Sequence, residues 1–515
     1  MTGPGRVAGP RSEITGEAGT TRHERLVLTT LCLGMFMAML DNVVVSNALP
    51  RIDAELHTGI VGMQWVVEGY SLCFAGLLFV GGSLGDRWGR RRLYLGGLAL
   101  FTLGSALTAL AGTLEALVAG RVVQGVGAAA LIPQSLAVLR VTYPDLARQA
   151  RAFAVWSSVS ALGLALGPAI GGPLVEAFGW PSAFWINVPI GLVALAIGFR
   201  AIPETRGQGA QPSAWAQGAL AVAVAASVYA LVEAPVRGWT SANVLGGAAL
   251  LAVAAVTAVA AERRASVPAV DRSLLRDRVV LGAVLAGFVV TFGMFGVLTF
   301  LGVFMQDVLK WSPTGAGIAS LPSTVLIIVM SPIASRLTLR FGPRRPLIAG
   351  LLCCAAGLAF LSLFGTDADY LQYCWALPLL GIGMGLCYTP VTITVMTRVP
   401  LERAGNASAV TNVSRELGGV AGIAVMGLLI TTRLRSSLDD RLAHAGAPGG
   451  VVEQVRRAVT TGGGQGLAPS GSVPPGIGDA VAHAFVDGLH LALWCAAAFM
   501  IAGGVVIARL TRPGS

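Results

Sequence analysis

Charge is scarce in this chain: of 515 residues only 12% are Asp, Glu, Lys or Arg, about half of what a soluble domain carries. Lysine is nearly absent, for among 36 basic residues Lys310 is the only one, set in Leu309-Lys310-Trp311. The Gly-Lys-Ser/Thr ending of a phosphate-cradling P-loop therefore does not occur, and an ATP-driven pump of that type is excluded. Histidines are few and scattered (His23, His57, His444, His483, His490), with no HExxH and no metal-ligand cluster. The seven cysteines include no CxxC pair and fall within or beside apolar runs, where they read as small apolar fillers. The first 25 residues lack a cleavable signal pattern, so the first apolar run is expected to stay in place as a membrane anchor.

What fills the chain instead is apolar: 54% hydrophobic residues and 67 glycines. Fourteen apolar runs, most of about 20 residues, can be placed from 27–49 to 486–508, a length that spans a bilayer as a helix. The loops after runs 2, 4, 6, 8, 10 and 12 hold 20 arginines, whereas the opposite short loops hold only Arg51, Arg237 and Lys310. Positive residues stay on the cytoplasmic side. This asymmetry puts both termini in the cytoplasm and requires an even number of spans between 201 and 279. It also explains the net charge of +10 by topology, so no nucleic-acid partner is expected. The polar, Gly/Pro-rich stretch 432–485 falls outside as a long loop, with partial disorder expected.

A weak repeat divides the chain. Asp86-Arg87-Trp88-Gly89-Arg90-Arg91 after run 2 is echoed 253 residues later in Leu339-Arg340-Phe341-Gly342-Pro343-Arg344-Arg345. The expected organisation is a tail at 1–26, a six-helix bundle at 27–201, a linker with two inserted helices at 202–278, a second six-helix bundle at 279–509 and a tail at 510–515. Such repeats place a substrate site between the halves near the midplane. The position 253 residues after Asp41 is Met294, so the intramembrane acid of the first helix belongs to the first half alone.

A few polar side chains stand inside the apolar runs, where they are costly and mark function. Asp41 lies mid-span, and a carboxylate there can bind a proton and a cation in competition. Glu68, in Gln64-Trp65-Val66-Val67-Glu68-Gly69-Tyr70, is a second proton-site candidate, or else an interfacial acid reaching water. Arg121 requires a carboxylate or carbonyl partner, with Asp41 and Glu68 as the candidates. In the loop after run 2, Gly82 and Gly85 permit close backbone approach and Asp86 accepts hydrogen bonds near a helix end. Arg87, Arg90 and Arg91, around Gly89, grip helix termini and headgroups, so the segment reads as a conformational latch or, more simply, a topology signal. Gly163, Gly167 and Gly171 form a stripe along one helix face that allows close packing, and Pro168 can bend the helix there. Arg415 and Glu416 are expected to neutralise one another or a second-half partner, and Glu233 with Trp239 to sit at the outer interface. Gly81-Gly82-Ser83-Leu84-Gly85 and Gly125-Val126-Gly127-Ala128-Ala129-Ala130 mimic a hydrolase elbow and a dinucleotide fingerprint, but no strand precedes either.

Four motifs in order make the resemblance specific: Leu40-Asp41-Asn42 through Ala48-Leu49-Pro50, Gly82 through Arg92, Leu117 through Ala129 with Arg121, Gln124, Gly125 and Gly127, and Gly163 through Gly172 followed by Trp185-Ile186-Asn187-Val188-Pro189. The chain resembles the fourteen-helix drug:proton antiporters of the major facilitator superfamily. The resemblance implies an all-α integral membrane protein of two six-helix bundles plus two inserted helices, working by alternating access in the plasma membrane. It implies proton transfer through Asp41 and Arg121, and a helix-packing seal at Gly163, Gly167, Pro168, Gly171 and Gly172 that prevents proton leak. The expected activity is export of amphipathic small molecules, driven by the proton gradient, with no cofactor, no metal and no enzymatic step, by a monomer in lipid. Export of an endogenous metabolite or lipid is the alternative; a transporter-like sensor is the alternative from another class.

Overall fold

The computed structural model describes residues 21–207, 213–265, 276–366, 370–400, 403–444 and 477–512. The long helices are α1 (Arg22–Leu56), α2 (Gly59–Trp88), α3 (Arg90–Ala109), α4 (Leu114–Thr142), α5 (Leu146–Phe178), α6 (Ser182–Ala201) and α7 (Ala214–Arg237). They continue with α8 (Ala242–Arg264), α9 (Arg278–Val303), α10 (Thr314–Phe341), α11 (Arg344–Leu361), α12 (Ala376–Arg398), α13 (Ala404–His444) and α14 (Ile477–Leu510). Among the described residues, 13 helices are individually long and apolar enough to cross a membrane. The remaining one, α5, qualifies as a bent pair whose parts, Leu146–Leu164 and Ala169–Phe178, meet at 43°. The bend brackets Pro168, which has no amide to give to the helix ladder.

Two helix ends depart from the hydropathy reading. The helix α1 begins at Arg22, inside the stretch taken as tail, because Thr21 and Glu24 form a capping box: the Thr21 hydroxyl accepts from the Glu24 amide and the Glu24 carboxylate accepts from the Thr21 amide. At the other end of the chain, α13 runs on to His444 and α14 starts at Ile477, so helix replaces loop at both margins of 432–485. Leu434 and Leu438 of this extension are buried, and its Ser437 and Arg441 bind Asp487 of α14 at 2.7 and 2.8 Å. An amphipathic helix continues past the point where charge ends an apolar run. Residues 445–476, the middle of that expected loop, lie outside the described residues, as do 1–20.

The halves repeat one packing plan. In the first, α1 packs on α5 and α6, α4 on α2 and α3; in the second, α9 packs on α13 and α14, α12 on α10 and α11. Gly89 and Gly342, related by the sequence offset of 253, end α2 and α10 alike, with φ of 114° and 75° and amides donating to Gly85 and Thr338. Across the halves, α5 meets α10 and α13 meets α2. The inserted pair sits beside this seam: α7 packs on α2 and α13, while α8 packs on α7. Burial shows how peripheral the last helix is, since only 22% of the apolar window of α8 is enclosed against 83% for α12.

Candidate functional site

Four helices of the first half converge on Asp41, whose side chain is 0% exposed. Its Oδ2 is 2.5 Å from Nη1 of Arg121 on α4. Its Oδ1 accepts from Nε2 of Gln124, also on α4, at 3.0 Å and from Nδ2 of Asn187 on α6 at 2.8 Å. Ser105 on α3 closes the network by accepting from Gln124 at 2.6 Å and from Asn187 at 3.3 Å. Arg121 is equally well served: its Nε donates to the Val66 carbonyl at 2.9 Å, its Nη1 also donates to Gln124 at 2.9 Å, and the Tyr70 ring lies 4.6 Å from its Cζ. A buried ion pair is tolerable when its remaining valences are filled in this way. Of the two acids expected as partners of Arg121, the structure selects Asp41.

Glu68 stands apart. It is 2% exposed, and neither carboxylate oxygen has a hydrogen-bond partner. The inserted helix α7, which packs on α2, carries its charged neighbours Glu233 and Arg237. Glu233, expected at an interface, is buried, pairs with Arg237 at 2.5 Å and accepts from Asn243 at 3.4 Å. The antiparallel register accounts for the meeting: Gly76 of α2 faces Ala221 and Ala225 of α7, and two turns farther along each helix lie Glu68 and Glu233.

The loop after α2 is built as a joint. Asp86 and Arg90 pair at 2.8 Å, the Arg90 amide donates to Thr205 and the Gly207 amide donates to Asp86. Arg91 reaches the Phe199 carbonyl at 2.5 Å, while Arg87 is exposed. Gly82 lies against α13, where a Cβ would fall 2.6 Å from the Gly405 carbonyl oxygen, so only glycine allows this approach between the halves. Gly85 makes room for the Gln134 side chain, which donates to the Gly81 and Gly82 carbonyls. A second bridge on this face went unread in the sequence: Arg140 at the end of α4 donates to the Val399 and Pro400 carbonyls after α12. No motif separates Arg140 from the other loop arginines. The α5 stripe packs within the first half. A Cβ at Gly163, Gly167 or Gly171 would lie 2.8, 2.5 or 2.9 Å from Phe36, Val43 or Val44 of α1, whereas Gly172 faces Thr314 of the second half.

In the second half, Arg415 and Glu416 form no ion pair with one another among the described residues. Arg415 donates through Nη2 to the Tyr388 carbonyl and the Thr392 hydroxyl, both at 2.9 Å, and stacks on the Tyr388 ring at 3.8 Å. No three His, Cys, Asp or Glu side chains among the described residues are grouped to hold a metal. The two enzyme look-alikes fall within α2 and α4.

Comparison with known proteins agrees with this architecture. The chain is 36% identical over 425 residues to the multidrug resistance protein Stp of Mycobacterium tuberculosis, covering 82% of this chain and 79% of that one. It is 33% identical over 490 residues to the tetracenomycin C resistance and export protein of Streptomyces glaucescens (93% and 89%). It is 31% identical over 501 residues to the multidrug efflux pump LfrA of Mycolicibacterium smegmatis (96% and 98%). In fold it is similar to the human organic anion transporter MFSD10, with a TM-score of 0.63 at 14% identity over 94% and 99% of the two chains. The proton:xylose symporter XylE gives 0.62 at 14% identity over 94% and 95%. The sequence family described as the Major Facilitator Superfamily matches residues 31–423. With two repeated helical halves, a buried charge network where a catalytic constellation would otherwise be sought, and this match over most of its length, the chain belongs to the major facilitator superfamily and is a multi-span membrane transporter, not an enzyme.

Proposed function

We propose that this transporter exports amphipathic small molecules, drugs, antibiotics or toxic natural products, across the plasma membrane in exchange for protons. The observation that carries the reading is Asp41: a carboxylate wholly inside the first half, held by Arg121, Gln124 and Asn187. A proton arriving on Asp41 removes the charge that holds Arg121, and the freed guanidinium must find new partners. Tyr70, stacked on that guanidinium, belongs to α2, which packs on α13 of the other half. Protonation is thereby converted into movement between halves. The relatives' names, which speak of multidrug resistance and export, supply the direction and the substrate class. Each charge crossing 100 mV contributes about 2.3 kcal/mol, and a pH gradient adds to it.

In this reading the bundles 27–201 and 279–509 rock about a midplane site, 202–278 carries the inserted pair, and the arginine-rich face with both termini is cytoplasmic. Gly82, Gly85, Asp86, Gly89, Arg90 and Arg91 latch that face shut, with Arg87 left to the headgroups. Glu68, buried without a partner, serves as a second proton site. The α5 stripe with Pro168 seals α5 on α1 against proton leak. The transporter acts as a monomer and needs no cofactor.

The test is proton movement in inverted vesicles with an acid interior, challenged with lipophilic cations and polyketide-like compounds. Release triggered by a compound in the wild type and lost in Asp41→Asn supports antiport through Asp41. Release that persists in Asp41→Asn moves the proton site to Glu68 or elsewhere. Transport of a compound with no proton release at all sinks the coupling.

A further inference from the structure

Arg415 lies on α13 11 residues after Ala404, about 16 Å along the helix and so near mid-depth. It is 3% exposed, yet Nε and Nη1 have no acceptor, which leaves three of the five guanidinium N–H groups unused. No ion pair among the described residues includes it. An unpaired guanidinium at that depth is retained only where something repays its desolvation, and Arg121, whose Nε and Nη1 reach a carbonyl, a carboxylate and an amide oxygen, shows how the same fold satisfies a purely internal one.

Two neighbours flank these N–H groups. On one flank Gly287 of α9 has no side chain; a Cβ there would sit in ordinary contact with the Arg415 Cγ and Val391 Cγ1 at 3.5 Å and with Nε at 3.8 Å, so the glycine leaves a methyl-sized gap beside the guanidinium. On the other, the half-buried Tyr388 ring offers a flat apolar surface beside the charge. The helix α13 that carries Arg415 packs on α2 and α4, the helices of Tyr70 and Arg121, across the seam between the halves.

The geometry points to Arg415 as the docking group for an acid on the transported molecule, a carboxylate or ionised phenol carried on an aromatic framework. The anion takes the free N–H groups in charge-assisted hydrogen bonds, and the ring system lies along Tyr388. This assignment rests on the export reading and narrows its substrate class.

The test measures equilibrium binding of anthracene-9-carboxylate and its primary amide to the full chain in lipid nanodiscs. The wild type is expected to bind the acid at least about tenfold more tightly than the amide, the scale of one charge-assisted hydrogen bond. Arg415→Gln should bring the acid down to the level of the amide, and Arg415→Lys should keep part of the preference. Amide binding in each variant reports an intact fold. Equal affinities in the wild type, no binding of the acid, or an acid preference that survives in Arg415→Gln would overturn the assignment. Proton release triggered by tetraphenylphosphonium in wild-type vesicles separates the two readings. Release without an acid preference removes the Arg415 site and leaves proton-coupled export standing; an acid preference without release from any compound leaves the Arg415 site and removes the proton coupling.

Discussion

The two halves share a backbone plan but divide the chemistry. In the first, Arg121 is 1% exposed and enclosed by an acid, an amide and a carbonyl, with Ser105 and Asn187 completing the set. In the second, Arg415 is as deeply buried, and Met294 stands where the repeat would put an acid. Repetition preserves what backbone geometry demands, such as the left-handed glycines that end α2 and α10, because any break there disrupts packing. Charge obeys no such demand. One half can therefore keep an internal ion pair while the other holds an arginine with no ion pair among the described residues.

The sharpest way to break this comparison is to neutralise each arginine. Arg121→Gln strands the Asp41 carboxylate and should cost about 3–5 kcal/mol, whereas Arg415→Gln removes a charge that makes no ion pair among the described residues and should cost less than about 1 kcal/mol or stabilise. Thermal unfolding in detergent reads both, and equal losses would show that Arg415 is a structural ion after all.

Next in size is the joint between halves. Gly82→Ala places a methyl group 2.6 Å from the Gly405 oxygen, an overpacking of about 1–3 kcal/mol. Transport should fall about tenfold, with greater labelling of cysteines introduced on the arginine-rich face. Its repeat partner Ser335 is buried and already carries a Cβ, so Ser335→Ala should leave transport within about twofold.

Smaller still are the paired glycines. Alanine at Gly342 should cost about 1 kcal/mol for its φ alone, since nothing stands within 4 Å of the added carbon. Alanine at Gly89 should cost slightly more, because the carboxylate end of Glu204 must swing aside. The difference is read from the unfolding midpoints of the two variants.

The smallest effect belongs to Asp277, which precedes α9 and pairs with Arg398 at 3.1 Å. Burial pushes its carboxyl up, but the Val280 and Val279 amides and Arg398 outweigh burial and hold it below the usual 3.8. A depressed carboxyl stabilises the folded chain above its unfolded pKa and loses that contribution as pH falls through the folded value. Arg398→Gln should therefore remove about 0.5 kcal/mol at neutral pH and progressively less as pH falls through the depressed folded value. Acid titration of the unfolding midpoint checks the sign.

Much of the fold was legible because a bilayer writes plainly: apolar length gives spans, and arginine placement gives a sense of sidedness. Helix ends were less legible. Hydropathy stops at the first charges, but the capping box at Thr21 and the amphipathic turns beyond residue 431 carry helix further. Asp41 and Arg121 announced themselves as charges in apolar runs. Ser105 did not, being a small hydroxyl among many, and Arg140 was one arginine in a loop of arginines.

By itself the sequence determined the helical membrane class, the division into halves and which side chains are too costly to be idle, since each follows from local composition against a lipid background. Only the tertiary structure decided who meets whom. It gave Asp41 rather than Glu68 to Arg121, brought Glu233 of the inserted pair to the helix of Glu68, and left Arg415 with no ion pair among the described residues. Pairing depends on helix rotation and register across tens to hundreds of residues, and a one-dimensional pattern carries no record of either.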